Sequence, residues 1–184
     1  MEKVDRRVIK SRQAIQTAFL QMLYQEGFDE ITVRALTEKA NIGRKTFYLH
    51  YTDKYDLLDR IMDEHLARLR EISEQKKDTG ITEGSIIWFS YFEQHKSFFA
   101  ALFNSKEASS FRKRLLDFTM GEISSKIDPA SNPMIDKHIL LKFLGTATMG
   151  VLESYVLDEL GRDIESVAAQ VVQLYTRLNP VSMR

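Results

Sequence analysis

Two basic residues and a tyrosine, Arg44, Lys45 and Tyr48, are spaced to share one face of a short helix near the N-terminus. Arginine and lysine can bond guanine edges or phosphate oxygens, and a tyrosine hydroxyl can bond phosphate. Phe47 and Tyr51, at i and i+4, are expected to face the core together with Ile42. The basic side chains could be ordinary solvated charges, and Tyr48 could be a half-buried aromatic. The two-faced pattern favours a helix with one face suited to nucleic acid.

Further polar side chains flank this segment and have the chemistry of phosphate contacts. Thr46 and His50 can supply hydrogen bonds to phosphate oxygens, and Lys54 adds a positive charge at the start of the following helix. Thr32 precedes the supporting helix, where it can cap the helix, bind a phosphate, or do both. Arg34 could reach a DNA backbone or simply be exposed. With the three residues above, these form the candidate DNA-binding set.

Two short helices joined by a tight turn must position these side chains. The first is expected to begin after Thr32, with Val33, Leu36 and Ala40 facing inward. The turn is read at 41–43, and the second helix covers about 44–51. This is the geometry of a helix-turn-helix, whose second helix lies in the major groove of DNA.

Helical periodicity also dominates the rest of the chain, and no alternating strand pattern of useful length is present. A first helix is expected to end at Gly27, and Asp53 is placed to cap a long one. Breaks are expected at 74–80 and 128–133, and Gly161 is placed to end a long helix. The fold class is therefore all-α, with about nine helices. The remaining helices are predicted at about 5–26, 81–95, 97–103, 107–127, 135–160 and 165–178, with Asp163 placed to cap the last of them and Pro180 to stop it.

Composition excludes several classes of site. The 184 residues include no cysteine, which rules out disulfides, thiolate metal sites and cysteine nucleophiles. The four histidines lack metal-ligand spacing, and neither a Ser-His-Asp arrangement nor a phosphate-cradling glycine motif is found. No metal, cofactor or enzymatic activity is therefore expected. The charged N-terminus lacks the apolar run of a signal peptide and no stretch has the apolar length of a membrane span, so a soluble cytoplasmic protein is expected.

Charge is distributed unevenly although the net charge is zero. Residues 1–54 hold ten Lys and Arg against seven Asp and Glu, a net charge of +3, and the remainder carries −3. The excess is modest, so DNA binding would have to rest on a local patch and not on a generally basic protein.

The motif resembles the DNA-binding domain of the TetR family without a gap from about Ile9 to Leu69. Many members carry glycine or another small residue where this chain has Lys45, which leaves the operator sequence open. The residues that carry the resemblance are Ile31-Thr32-Val33-Arg34, Ala40-Asn41-Ile42-Gly43-Arg44-Lys45-Thr46-Phe47-Tyr48, His50-Tyr51, Asp53-Lys54 and Asp56-Leu57-Leu58.

The resemblance implies an all-α homodimer with a DNA-binding domain at 9–69 and a dimerisation and effector-binding domain at 70–184. Members typically dimerise through their last two long helices, here about 135–160 and 165–178, and often bind a small effector. The C-terminal half is also similar to a subgroup of short regulators that includes activators of dihydroxyacetone utilisation. No ligand is carried over from that subgroup.

Two features of the C-terminal half are open to alternative interpretations. Its many aromatic residues either form a tightly packed core or leave an effector pocket. Gly145, Ala147 and Gly150 either permit close helix approach in a dimer interface or are incidental. The expected pocket residues are Trp88, Phe92, Phe99, Phe103, Phe118 and Met149.

The function expected from motif and resemblance is that of a ligand-responsive regulator, usually a repressor, that binds a nearly palindromic operator as a homodimer. The alternative is an all-α ligand-binding module or enzyme whose N-terminal bundle is only a scaffold, and a protein–protein adaptor is a third. The effector, the regulated genes and the choice between repression and activation are left open.

Overall fold

The computed structural model describes residues 6–75, 80–106, 108–126 and 135–178, and every regular element within them is an α-helix. This confirms the predicted all-α class and the expected number of helices. The helices are α1 (Arg6–Glu26), α2 (Val33–Lys39), α3 (Arg44–Tyr48), α4 (Lys54–Gln75), α5 (Ile81–Gln94), α6 (Lys96–Phe103), α7 (Ala108–Lys126), α8 (Lys137–Val156) and α9 (Ile164–Leu178).

The chain divides into two compact units. The first takes the residues up to His65 with Asn104–Lys106, and the second takes Leu66–Phe103 and the residues from 107 onward. The division falls inside α4, four residues before the expected domain boundary at 69/70. The expected break at 128–133 lies outside the described residues.

The first unit is built around the apolar face of α1. Its buried side chains are the five that helical spacing places on one face: Ile15, Ala18, Phe19, Met22 and Leu23. Phe28, just after the helix, packs edge-to-face on Phe19 with 6.2 Å between ring centroids. Gly27 takes φ +83°, a left-handed conformation that lets the chain turn sharply out of α1.

Capping side chains fix where α2 and α4 begin. Thr32 Oγ1 accepts a hydrogen bond from Ala35 N at 3.2 Å. Asp53 Oδ1 accepts from the backbone N–H of Asp56 at 2.8 Å, and the Asp56 carboxylate accepts in return from Thr52 N at 2.9 Å. These bonds satisfy N–H groups that a helix start leaves without intrahelical partners. The predicted starts at Thr32 and Asp53 are confirmed.

The second unit has an aromatic core. Phe92 and Phe99, from α5 and α6, lie 4.7 Å apart between ring centroids, and Phe111 of α7 stacks on Phe99 at 5.9 Å. Trp88 packs on Phe92 from one turn earlier in α5, at 4.7 Å. Arg112 ties α7 to the end of α6 and to α8, because it donates to the Phe103 carbonyl at 3.0 Å and to the Glu153 carboxylate.

The end of α8 differs from the prediction. Gly161 was expected to end it near residue 160, but the helix ends at Val156. Asp158 adopts φ +63°, and its N–H donates to the Tyr155 carbonyl at 3.1 Å, while Glu159 N donates to Ser154 O at 2.9 Å. These two bonds form a Schellman motif, in which aspartate takes the left-handed position that glycine usually fills.

One described helix, α8, is long and apolar enough to span a membrane by length and composition alone. Lys142 and Glu153 interrupt this helix, so its sequence is not the uninterrupted apolar run that is typical of a membrane span. Helices that form the core of a soluble domain pass the same test, and α8 contributes Leu144, Leu152 and Tyr155 to the core of the second unit.

The small residues of α8 have two different environments. A Cβ added to Gly145 would lie 2.7 Å from Met120 Cγ and 3.2 Å from Leu116 Cδ1, so this glycine permits close approach to α7 of the same chain. The expectation of a dimer-interface role for Gly145 is therefore corrected. Ala147 and Gly150 are exposed on another face of α8.

Alanine substitutions at two helical glycines are expected to separate packing from helix propensity. Gly121→Ala in α7 should raise the free energy of unfolding by about 1 kcal/mol, because alanine is the better helix former and its Cβ would meet no atom within 4 Å. Gly145→Ala should not raise the free energy of unfolding, because its Cβ would collide with Met120 and overpacking costs about 1–3 kcal/mol. Urea unfolding measures both, and equal stabilisation by the two would contradict the close packing.

Candidate DNA-binding surface

The α2–α3 pair presents one basic, solvent-facing surface. Arg44 and Lys45 are exposed at the start of α3, and the Tyr48 side chain is 50% exposed one turn later. Phe47 and Tyr51 are buried on the opposite face, with 5.7 Å between their ring centroids. The buried face fixes the orientation of α3, and the basic face is therefore presented to solvent in a defined direction.

The connection from α2 to α3 is a tight turn, as its sequence indicates. Asn41 takes φ +51°, a left-handed conformation that asparagine tolerates better than most residues. Ile42, expected in the core, is only half-buried, as are Val33 and Ala40 of the supporting helix. The recognition helix α3 ends at Tyr48 and not near residue 51, because His50 N bonds the carbonyl three residues back, Phe47 O, at 2.9 Å.

Thr32 and Arg34 flank the recognition helix on the α2 side. The Thr32 oxygen accepts from the Ala35 N–H, which leaves its hydroxyl hydrogen for a phosphate oxygen. Arg34 pairs with Glu38 one turn later at 3.0 Å, and both side chains are more than half exposed. The pair is weak in water, so a phosphate could displace the carboxylate at small cost.

His50 is bonded within the protein. Its Nε2 lies 2.7 Å from Ser11 Oγ in α1, and the Ser11 hydroxyl can alternatively donate to the carbonyls of Arg7 and Val8. Either group can be the donor in this bond: Nε2 donates if it carries the imidazole hydrogen, and the Ser11 hydroxyl donates if Nδ1 carries it. Burial, with the charge of Arg12 as a second cause, lowers the pKa of His50 below its ordinary value of 6.5. A protonated imidazole donates from both nitrogens, so it could keep the bond to Ser11 and donate from Nδ1 to a further partner.

Lys54 also has contacts inside its own unit. Its ammonium donates to the carbonyls of Phe28 and Asp29, each at 3.1 Å, and lies 4.6 Å from the centroid of the Phe28 ring. These contacts hold the start of α4 against the turn after α1. They use two of the three N–H donors of the ammonium, which leaves one for a phosphate.

Sequence reasoning missed Leu49, the residue between Tyr48 and His50. Its side chain is 83% exposed at the end of α3, more than any other large apolar side chain in the described part of the chain. Helical spacing could have identified it, because about 100° per residue places Leu49 about 200° around the helix from the buried Phe47. Thr46 is half-buried on the same helix.

A cavity of about 60 Å³ lies inside the second unit, between α5, α7, α8 and α9. Its apolar wall comes from Ile81, Phe89, Ile123, Val171 and Val172. Its polar lining comes from Ser85, Trp88, Thr119, Glu122, Thr148 and Tyr175.

The cavity corrects the expected pocket. Of the six residues predicted to line it, only Trp88 does. The other five, Phe92, Phe99, Phe103, Phe118 and Met149, are buried side chains of the helical core. The aromatic residues are therefore mostly packing residues, and the cavity lies toward α9, outside the predicted set of lining residues. Among the described residues, no group of three or more His, Asp and Glu is placed to hold a metal ion.

Comparisons with known proteins agree with this organisation. A family model described as bacterial regulatory proteins, tetR family, matches residues 15–61. A second model, described as the C-terminal region of transcriptional regulators, matches residues 80–177, more than half of the chain.

Curated relatives match only in the N-terminal part. The uncharacterized HTH-type transcriptional regulator YxbF of Bacillus subtilis is 39% identical over 69 residues, which is 37% of this chain and 18% of that protein. The tetracycline repressor protein class D of Escherichia coli is 36% identical over 63 residues, 34% of this chain and 29% of the repressor. The matches thus span less than a third of each relative.

A solved structure matches nearly the whole fold. The dihydroxyacetone kinase operon activator DhaS superposes with a TM-score of 0.68 over 96% of this chain and 99% of that one. The sequence identity is 17%, so this likeness concerns the fold alone.

Proposed function

The chain belongs to the TetR family of bacterial transcriptional regulators, and from that premise we propose that it binds operator DNA through α2 and α3. The observation that carries the proposal is the recognition helix itself. Phe47 is fully buried behind it, while Arg44, Lys45 and Tyr48 face solvent. A helix anchored in this way can enter the major groove and read base edges with its basic side chains. Thr32, Arg34, Thr46, His50 and Lys54 then position the domain on the DNA backbone.

The second part of the proposal is a homodimer formed by α8 and α9. An apolar face is left exposed on these helices: the side chains of Ile139 and Phe143 in α8 are 66% and 58% exposed, and Leu174 in α9 is 55% exposed. Apolar side chains of this size and number favour burial against a second copy. A dimer would present two recognition helices to two half-sites, which accounts for DNA binding by a chain with zero net charge.

The third part of the proposal concerns regulation and location. We propose a ligand-responsive cytoplasmic regulator without enzymatic activity. The cavity of the second unit supports a small-molecule effector, and the name of the tetracycline repressor shows that a relative of the DNA-binding part represses. The structural relative is named as an activator. The proposal that this chain represses transcription therefore rests on repression being the more common role in the family. An effector would act through its differential affinity for the two conformations of the dimer.

A competition binding experiment tests the proposed function. The full chain is titrated against a duplex from upstream of its own gene and against random duplex of equal length. The proposal expects specific binding at least a thousandfold tighter, the lower end of about 10³–10⁷ for specific DNA binders. Equal affinity for both duplexes would favour the scaffold interpretation, in which the chain is a ligand-binding module without DNA binding.

Operator affinity is expected to rise as the pH falls, because protonated His50 carries a positive charge and can donate an Nδ1–H to phosphate while Nε2 donates to Ser11. The pKa of His50 is lowered in the free protein, so a phosphate contact that favours the protonated form would be accompanied by proton uptake. Each proton taken up on binding raises the operator affinity by at most about tenfold for each pH unit by which the pH falls. Affinities measured between about pH 7.5 and pH 5.5, across the ordinary titration range of histidine, give the slope.

The matched variants for this test are His50→Gln and His138→Gln. Glutamine at position 50 can keep the hydrogen bond to Ser11 and cannot be protonated, so its pH slope should be shallower than that of the wild type. His138 is exposed on α8 beside Ile139 and Phe143 of the proposed dimer face, so its replacement reports whether that face contributes to the pH dependence, and the slope should stay unchanged. An identical slope in all three proteins would show that His50 does not contact phosphate through its protonated form.

Leu49 is expected to contact a thymine methyl group or a deoxyribose of the operator. Replacing each thymine together with its symmetry-related partner in the other half-site by deoxyuridine, which lacks only the methyl group, should reveal one pair of positions where affinity falls. At about 0.8 kcal/mol per buried methyl-sized group, two half-sites give roughly a tenfold loss. Leu49→Ala should bind the thymine and deoxyuridine duplexes about equally, whereas Ile87→Ala in α5, outside the proposed dimer interface, should keep the discrimination. If the wild-type protein binds every deoxyuridine duplex as tightly as the thymine duplex, Leu49 makes no contact with a thymine methyl group.

A further inference from the structure

Trp88, which lines the cavity between α5, α7, α8 and α9, carries a buried hydrogen-bond donor without a partner. Trp88 is only 8% exposed, and its Nε1–H has no hydrogen-bond partner among the described residues. A buried donor left unsatisfied costs about 1–3 kcal/mol. A molecule that brings an acceptor into the cavity next to Trp88 would remove this cost.

The hydroxyl groups around the cavity supply lone pairs. Thr119 Oγ1 donates to Leu115 O and Thr148 Oγ1 donates to Leu144 O, each at 2.8 Å, so both hydrogens are already used. The Thr148 oxygen is also bonded to the Tyr175 hydroxyl, which occupies one of its lone pairs. The Thr119 oxygen and the remaining lone pair of Thr148 can therefore accept from a donor group of a ligand. The polar lining thus combines one available donor with several acceptors, and a carbonyl or hydroxyl oxygen matches it.

The lining disfavours an anion and offers a cation a single counter-charge, Glu122. None of the lining side chains is basic, and one, Glu122, is a carboxylate. An anion would be repelled by Glu122 and would find no counter-charge in the wall. Burial raises the pKa of Tyr175, so its phenol stays neutral and offers no second negative charge to a cation.

The volume limits the ligand further. A site needs roughly 10–15 Å³ to hold one water, so a cavity of about 60 Å³ has room for a few waters or for one small organic molecule. Its apolar walls favour the organic molecule, because water there would lack the two to four polar partners it requires.

We propose that this cavity binds small, uncharged, mainly apolar molecules that carry a carbonyl or hydroxyl oxygen, with Trp88 as the hydrogen-bond donor. The proposal rests on the proposed regulator function for the role of the molecule as an effector. Binding itself is a property of the second unit and is measurable without DNA.

Trp88 is the only tryptophan of the chain, so its fluorescence reports on the cavity directly. The DNA-free protein is titrated with cyclopentanone and with cyclopentanecarboxylate, an anion with the same ring. The proposal expects a saturable change in Trp88 emission with cyclopentanone. The anion should bind at least about tenfold more weakly, because burying an uncompensated charge costs more than about 1.4 kcal/mol, the free energy that corresponds to a tenfold change in affinity. Calorimetry on the same samples gives the affinities independently of fluorescence.

Two variants connect binding to the proposed contacts. Trp88→Phe removes the N–H and keeps a ring, and it should weaken cyclopentanone binding roughly fivefold to tenfold in calorimetry, the value of one hydrogen bond. Ser85→Phe fills the cavity from the half-buried lining position and should abolish binding. Circular dichroism establishes that each variant is folded, and if Trp88→Phe is not, Ser85→Phe decides.

Several results would overturn the proposal. They are the absence of saturable cyclopentanone binding, equal binding of the carboxylate, unchanged binding in folded Ser85→Phe, and unchanged binding in folded Trp88→Phe. Operator binding by the same preparations is scored separately. A protein that binds cyclopentanone but no operator would contradict the proposed function and support the ligand site, and the opposite pattern would contradict the ligand site alone.

Discussion

Replacing Arg44 and Lys45 together by alanine is expected to weaken operator binding by at least about a hundredfold. Each good contact between a basic side chain and a base is worth about 1–3 kcal/mol, and a dimer presents both residues twice. Both side chains are exposed on a helix whose other face is buried, so their removal should not unfold the domain. Gel-shift or fluorescence-anisotropy titrations with the operator duplex measure the loss of affinity.

The loss can be divided between base and phosphate contacts. Replacing a residue that reads a base should weaken binding to the operator alone. Replacing a residue that contacts phosphate should weaken binding to all duplexes about equally and reduce the salt dependence of binding by nearly one unit of slope per contact. The matched control is Arg162→Ala with Lys113→Ala, two exposed basic residues of the second unit. Equal effects of the two double variants would contradict the assignment of α3 as the recognition helix.

Phe143→Glu is expected to leave the chain monomeric and to reduce operator affinity by orders of magnitude. Burial of a phenylalanine is worth about 1.5–3 kcal/mol in each copy, and a carboxylate in the same place would be buried without a partner. A loss of at least about 4 kcal/mol corresponds to a dimer roughly a thousandfold weaker. Sedimentation velocity measures the assembly, and the operator titration measures its consequence.

The control for the dimer is Ile87→Glu, a partly exposed apolar residue of α5, outside the proposed α8–α9 interface. That variant should remain dimeric and keep its operator affinity. If Phe143→Glu also sediments as a dimer, the proposed α8–α9 interface is not the one that the protein uses.

Local patterns were sufficient to predict most of the helices and the starts of several. Helix periodicity depends on residues three and four apart, and a cap depends on a side chain within three residues of the N–H groups it satisfies. Thr32, Asp53 and Asp163 were all identified in this way, and Asp163 accepts from Ser166 N at 2.7 Å. The end of α8 was misplaced because aspartate rarely takes the left-handed position, so Gly161 was the stronger local signal.

Contacts between distant residues could not be predicted in the same way. The bond from His50 to Ser11 joins residues 39 positions apart, and Lys54 meets carbonyls 25 and 26 positions away. Nothing near either residue in the sequence distinguishes such a side chain from one that faces a phosphate. The cavity likewise depends on how α9 packs on α5, and aromatic composition indicated only that the region would be well packed.

Selection of bound duplexes from a random library by the full-length dimer tests the central claim most directly. Two copies of α3 in successive major grooves predict a nearly palindromic site with half-site centres about 10 base pairs, or 34–36 Å, apart, or a multiple of that spacing. Protein with Arg44 and Lys45 replaced by alanine should enrich no such site. Enrichment of a single unpaired half-site, or of no sequence at all, would contradict a dimeric operator-binding regulator.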